Sequence, residues 1–199
     1  MKTSKFNFFK WTVNFSIIII LLMSSCEQSG KNNKSKSEKS ATGISVVEIP
    51  KMNIQTAIIS DNLEIVKQHI EAGTNIDIKD QMSGATPLIS AATFGRTAIA
   101  KALIDAKADL NIINNDGASA MHVAAFFCRI EIVQLLIDAK ANKTTKNNFG
   151  TTPRESVLGS FNDIKPFYEM LQQQLGPLGL HLDLTEVEKN RPVIAMMLQ

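Results

Sequence analysis

Two kinds of apolar pattern run along this chain. From Trp11 to Met23 the residues are almost wholly apolar, with Ile17-Ile18-Ile19-Ile20-Leu21-Leu22 at the centre. Beyond residue 50 the apolar residues recur instead at helical spacing. Ile130, Val133, Leu135, Leu136 and Ile137, with charges between them, predict one face of an amphipathic helix. Between these regions, Glu27 to Gly43 is rich in Ser, Lys and Asn, has no apolar period and cannot bury a core. A short apolar N-terminal run, a polar tether and a helical domain are therefore expected in that order.

The helical region repeats. Gly84, Gly117 and Gly150 lie 33 residues apart, and Thr86, Ser119 and Thr152 keep the same register. Ala91-Ala92 matches Ala124-Ala125, and Ile104-Asp105-Ala106-Lys107-Ala108-Asp109 matches Ile137-Asp138-Ala139-Lys140-Ala141-Asn142. An earlier copy contains Asn62-Leu63-Glu64-Ile65-Val66-Lys67, offset by 34 because the loop before Gly84 is one residue longer. Each unit reads as two helices. Thr86-Pro87 opens the first of a pair, with Thr as cap and Pro at the first helical position. The paired alanines let that helix lie close to its neighbour. Asp109-Leu110-Asn111 and Asn142 to Asn148 supply polar turns.

Gly84-Ala85-Thr86-Pro87-Leu88 and Ala118-Ser119-Ala120-Met121-His122-Val123-Ala124-Ala125, at this period, resemble the ankyrin repeat. The resemblance implies an all-α, helix-turn-helix repeat solenoid. About four repeats are expected, at 48–80, 81–113, 114–146 and 147–172, with looser terminal copies capping the stack. Lys107 and Lys140 stand where the family has Gly after the second helix, a place that favours positive φ, at a cost of roughly 1 kcal/mol. Cys128 replaces another usual Gly, and Arg154-Glu155 replace Leu and His, which predicts a less buried final repeat. The tail, residues 173–199, is expected to form a helical cap. Leu178, Leu180, Leu182 and Leu184 alternate there, Thr185 and Glu188 fit a capping box, and Pro192 should kink the helix or start a second one.

At the other end, Lys2, Lys5 and Lys10 precede the apolar run, which holds about half of the ~20 residues a membrane span needs. Basic start, short apolar run and Ser24-Ser25 read as a signal peptide over residues 1–25. Leu22-Met23-Ser24-Ser25-Cys26 resembles a bacterial lipobox, which implies acylation of Cys26 and a flexible tether over 26–47. The expected location is the bacterial cell envelope, lipid-anchored and facing the periplasm, with the membrane contacted only through the anchor.

Composition excludes several roles. The formal charge of +2 comes from the N-terminus, and beyond residue 51 the chain has 13 basic and 16 acidic side chains. That balance lacks the positive field nucleic acid requires. His69, His122 and His181 have no Cys or carboxylate at metal-ligand spacing, so no metal or cofactor is expected. The resemblance gives His122 a structural role between repeats. Cys128 has no sequence link to a His or Asn partner and reads as a small buried residue, and no catalytic motif is present.

The resemblance also implies a binding face made of hairpin tips and the exposed side of each first helix. Carried onto this chain, that face is Met82, Ser83 and Ala85; Asn115, Asp116 and Ala118; Asn148, Phe149 and Thr151; with Thr93, Phe94, Phe126 and Phe127 on the helices. The four Phe are candidate anchors for a partner. The functional expectation is a non-catalytic, monomeric protein-interaction module, acting as an immunity or adaptor factor. The competing expectation is a small-molecule-binding or catalytic lipoprotein with a pocket between repeats and cap, near His181 and Asp183.

Overall fold

A computed structural model describes residues 48–199. The signal peptide, the tether and Cys26 lie outside the described residues. Within them the chain is helical, and no helix is long and apolar enough to cross a membrane. Three helix pairs follow one another: α1 (Ile54–Ile59) with α2 (Leu63–Glu71), α3 (Pro87–Phe94) with α4 (Thr97–Asp105), and α5 (Ala120–Phe126) with α6 (Ile130–Asp138). A 3-10 turn, Glu155–Val157, then precedes α7 (Phe161–Leu175) and α8 (Leu184–Met197).

The expected starts are present. Thr86 Oγ1 accepts from the Ile89 N–H at 3.3 Å with Pro87 next to it, and Asn62 Oδ1 caps α2 through the Ile65 N–H at 3.1 Å. α1, α3, α5 and the turn form an inner row, each packed on the next. Ala91, Ala92, Ala124 and Ala125 are fully buried there, because only a methyl group fits where these helices meet. Ile99, Leu103, Ile132, Val133 and Leu136 fill the layer between inner and outer rows with at most 0% exposure. Each such side chain contributes on the order of 1.5–3 kcal/mol. Lys107 and Lys140 do carry positive φ, 67° and 61°, and so does Cys128 at 52°.

The last repeat is assembled differently from its register. Adding the 33-residue period to α6 points to α7 as the fourth outer helix. Instead α8 packs on α6 and on the 3-10 turn, so the outer row runs α2, α4, α6, α8. α7 and the connector to Asp183 are a detour within that repeat. The inner helix of the fourth repeat has shrunk to one turn, a shortening not expected from the sequence, and Arg154 and Glu155, expected to be less buried, are half-buried and exposed there.

The connector explains the alternating leucines. Leu180 and Leu182 are buried at 1% and 7%, while Leu178 is exposed. The start of α8 differs from the expected capping box. Asp183, two residues before Thr185, is the cap, and its carboxylate accepts from the Thr185 and Glu186 N–H groups at 2.9 and 3.2 Å. A carboxylate at a helix N-terminus adds favourable charge to the hydrogen bonds, which a Thr hydroxyl cannot. Pro192 sits inside a single helix. The carbonyl it leaves without a donor belongs to exposed Glu188, where water can serve it.

Candidate protein-interaction face

The hairpin tips are built on one side chain each. Asp80, Asn114 and Asn147 start the three turns, and each accepts from N–H groups further along. Asp80 Oδ1 takes Met82 and Ser83 at 2.9 and 2.8 Å, and its Oδ2 takes Ala85 at 2.8 Å. Asn114 Oδ1 takes Asp116 and Ala118 at 3.0 and 2.9 Å, and Asn147 Oδ1 takes Phe149 and Thr151 at 3.0 and 3.1 Å. These bonds hold the Asp80 carboxylate below its usual range even though partial burial acts the other way.

Successive tips are then tied together by asparagines one repeat apart. The Asn115 N–H donates to Ser83 O at 2.9 Å and its Nδ2 to Met82 O at 3.0 Å. Asn148 repeats both bonds, to Asp116 O and Asn115 O, each at 2.9 Å. Gly84 is required beneath this ladder. Its φ is +69°, and a Cβ there would meet Asn115 Oδ1 at 2.4 Å. The tips are thus one pre-organised ridge, on which Met82 and Phe149 are 52% and 42% exposed. Ser83, Asn115 and Asn148 are also exposed, and Asp116, Thr93, Phe94 and Thr151 half-buried. Burial raises the Asp116 carboxyl above its usual range.

Four of the expected face residues are placed elsewhere. Ala85 and Ala118 are buried at 8% and 9%, because each closes the base of its tip through backbone bonds with Asp80 and Asn114. Phe127 is buried at 7% and meets Phe126 edge-on at 5.1 Å. Phe126 stacks on Tyr168 at 4.7 Å and meets Phe167 at 5.8 Å. The two Phe at the end of α5 therefore belong to an aromatic cluster with α7 and not to an open groove. Nothing local in the sequence marks this, since α7 comes some forty residues later.

His122 joins two repeats. Its Nδ1 accepts from the Ser119 N–H at 3.2 Å, so Nε2 carries the proton and donates to Thr151 O at 3.2 Å. Burial holds its pKa below the ordinary value, and the carbonyl partner offsets only part of that. His69 is likewise used structurally, between Met52 O at 2.8 Å and Thr74 Oγ1 at 3.1 Å.

A pair of arginines was missed by sequence reasoning, although both precede an outer helix at the 33-residue interval. Arg96 Nη2 donates to Ile59 O of the previous repeat and, at 3.4 Å, to Gly179 O of the connector. Arg129 Nη2 does the same with Thr93 O and His181 O, both at 3.3 Å. Burial and the nearby Arg96 charge push the Arg129 pKa down. His181 is exposed and Asp183 is occupied as a cap, and neither lines the open groove of about 480 Å³ between the 3-10 turn and α8. Among the described residues no group of three His, Cys, Asp or Glu side chains could hold a metal. Burial pushes the Cys128 thiol up to about 11, which favours the protonated thiol at neutral pH.

Paired inner and outer helices, tips joined across repeats and a His at the repeat junction agree with the comparisons to known proteins. The family model for ankyrin repeats (3 copies) matches residues 54–147. Across residues 54–147 the chain is similar to ankyrin repeats. A solved structure, the ankyrin repeat domain of Bcl-3, a member of the IkappaB protein family, is similar at 28% identity with a TM-score of 0.50. The match covers 52% of this chain and 45% of that one, so the present chain spans less than half of its neighbour's length. No curated protein matches. The ankyrin match ends at residue 147, before the short fourth inner turn at Glu155–Val157 and the α7 detour. Ankyrin repeats are protein-interaction modules, and the fold here is an ankyrin-type helical solenoid.

Proposed function

We propose that this chain is a membrane-anchored, non-catalytic adaptor or immunity factor of the bacterial envelope that binds another protein through its hairpin tips. The tip ridge carries this reading. Its backbone is fixed by the Asn115 and Asn148 ladder before any partner arrives, and it presents Met82 and Phe149 to solvent. A rigid surface loses little entropy on binding. With Ala85, Ala118 and Phe127 buried and Phe126 half-buried against the α7 aromatics, the face reduces to Met82, Ser83, Asn115, Asp116, Asn148, Phe149 and Thr151, with Thr93 and Phe94 at its edge.

The anchor is inferred from residues 1–26 alone: a basic start, an apolar run and Cys26 after Ser24-Ser25. Its test is metabolic labelling with a palmitate analogue. Label on the wild type that disappears in Cys26→Ser supports acylation, and equal label in both removes it. The binding reading is tested by recovery of a cross-linked partner from intact cells with Met82 and Phe149 altered.

A further inference from the structure

Repeats in a stack are held by their neighbours, and an end repeat has one neighbour fewer. Here the first repeat opens with α1, six residues long, which has another inner helix on one side only among the described residues. A helix that short is held by packing and not by its own hydrogen bonds. The contact that closes this end involves the far end of the chain. Arg96, at the start of α4, donates from Nη2 to Ile59 O at the end of α1, at 2.9 Å, and its Nη1 lies 3.6 Å from the Asp61 carboxylate. The same Nη2 reaches Gly179 O at 3.4 Å.

From Gly179 the connector runs to Asp183 along the loops that join inner to outer helices. Two residues after Gly179, His181 O accepts from Arg129 Nη2, which also holds Thr93 O. Leu180 and Leu182 are buried while His181 and Asp183 are exposed, the alternation of an extended segment lying on a surface. Gly179 permits the closest approach. Its φ is +93°, and a Cβ there would stand 3.0 Å from Arg96 Nη2 and 3.6 Å from Ile59 O. Arg96 Nε and Arg129 Nε are buried without a partner, so each guanidinium already has one donor unmet. Lifting the connector would take an acceptor from both, and Arg96 would lose the segment that backs it against Ile59.

We propose that residues 179–183 are a strap by which the end of the chain holds the first repeat closed against the second. Arg96 transmits the hold, bonded to the strap on one side and to Ile59 and Asp61 on the other. In a stack coupled through neighbours alone, a change in the connector reaches α6 first and α1 last. The strap reverses that order. This assignment does not rest on the tip ridge, so either can fail without the other.

Hydrogen exchange of the full chain, read helix by helix by mass spectrometry, is the test. Gly179→Ala places a side chain at positive φ and pushes the strap from Arg96. Amides of α1 and α2 should then exchange about tenfold faster than in the wild type, and those of α6 should change less. Gly159→Ala is the control, the same substitution where a Cβ meets nothing within 4 Å, and it should leave both regions as in the wild type. Gly179→Val, with a larger side chain at the same place, should show the same order more strongly, and Gly179→Ala decides if that variant does not fold. Unchanged exchange in α1 and α2 of Gly179→Ala overturns the proposal. So does a loosening of α6 that equals or exceeds theirs, or the same loosening of α1 and α2 by Gly159→Ala.

Discussion

The Tyr168 hydroxyl donates to the Phe126 carbonyl at 2.6 Å while its ring stacks on the Phe126 ring. One residue of the detour helix thereby completes the end of an inner helix forty-two positions earlier. Arg191 of α8 donates to the same hydroxyl at 3.3 Å and to Gly159 O at 3.1 Å, which ties α7, α8 and the last repeat together. Tyr168 has no exposed surface. Tyr168→Phe should cost about 1–2 kcal/mol, since it leaves buried polar groups short of a partner. Tyr168→Ala should cost about 3–5 kcal/mol by opening a cavity. Urea unfolding of the three proteins checks both values.

Acid should loosen the junction between the third and fourth repeats. The folded-state pKa of His122 lies below 6.5, so the unfolded chain binds the proton more readily. The contribution of neutral His122 is complete above pH 6.5 and falls as pH drops from there towards the lowered pKa. A His122→Gln variant keeps a donor but cannot titrate. Melting temperatures measured from pH 7.5 to pH 5 should therefore fall more steeply for the wild type than for His122→Gln. Parallel curves would mean that the depressed pKa of His122 has no thermodynamic weight.

Two surface lysines carry strain that glycine would remove. Lys107 and Lys140 are exposed and held at φ of 67° and 61°, where their N–H groups donate to Ile104 and Ile137 carbonyls. Lys107→Gly and Lys140→Gly should each stabilise the domain by about 1 kcal/mol or slightly less. The sites lie in different repeats without a shared partner, so the gains should add. Denaturation midpoints of the single and double variants give the answer.

The repeat itself was legible because it rests on short-range chemistry: Thr86-Pro87 as a helix start, paired alanines as a close contact, glycine under each tip. The positive φ at Lys107 and Lys140 followed from the family pattern at the same places. The final repeat was not legible. Phe167, Tyr168 and Leu171 have the spacing of an outer helix, so the period assigned α7 to a row that α8 occupies. Which of two amphipathic helices packs on α6 is decided by long-range fit. The aromatic positions failed for the same reason. Phe126 and Phe127 follow the paired alanines, where the family exposes side chains, but here α7 lies against Phe126 and Phe127 is buried beside it.

The central claim is that the hairpin tips bind a protein partner, and paired pull-downs from intact cells test it most directly. Met82→Glu with Phe149→Ser changes two exposed side chains and leaves the asparagine ladder in place. Glu64→Ala with Lys67→Ala, on the exposed side of α2, serves as the control. All three proteins are first matched for helical content by circular dichroism. The account predicts one cross-linked partner recovered with the wild type and the α2 control and lost with the tip variant. Equal recovery by all three would contradict it and would place the interaction away from the tips.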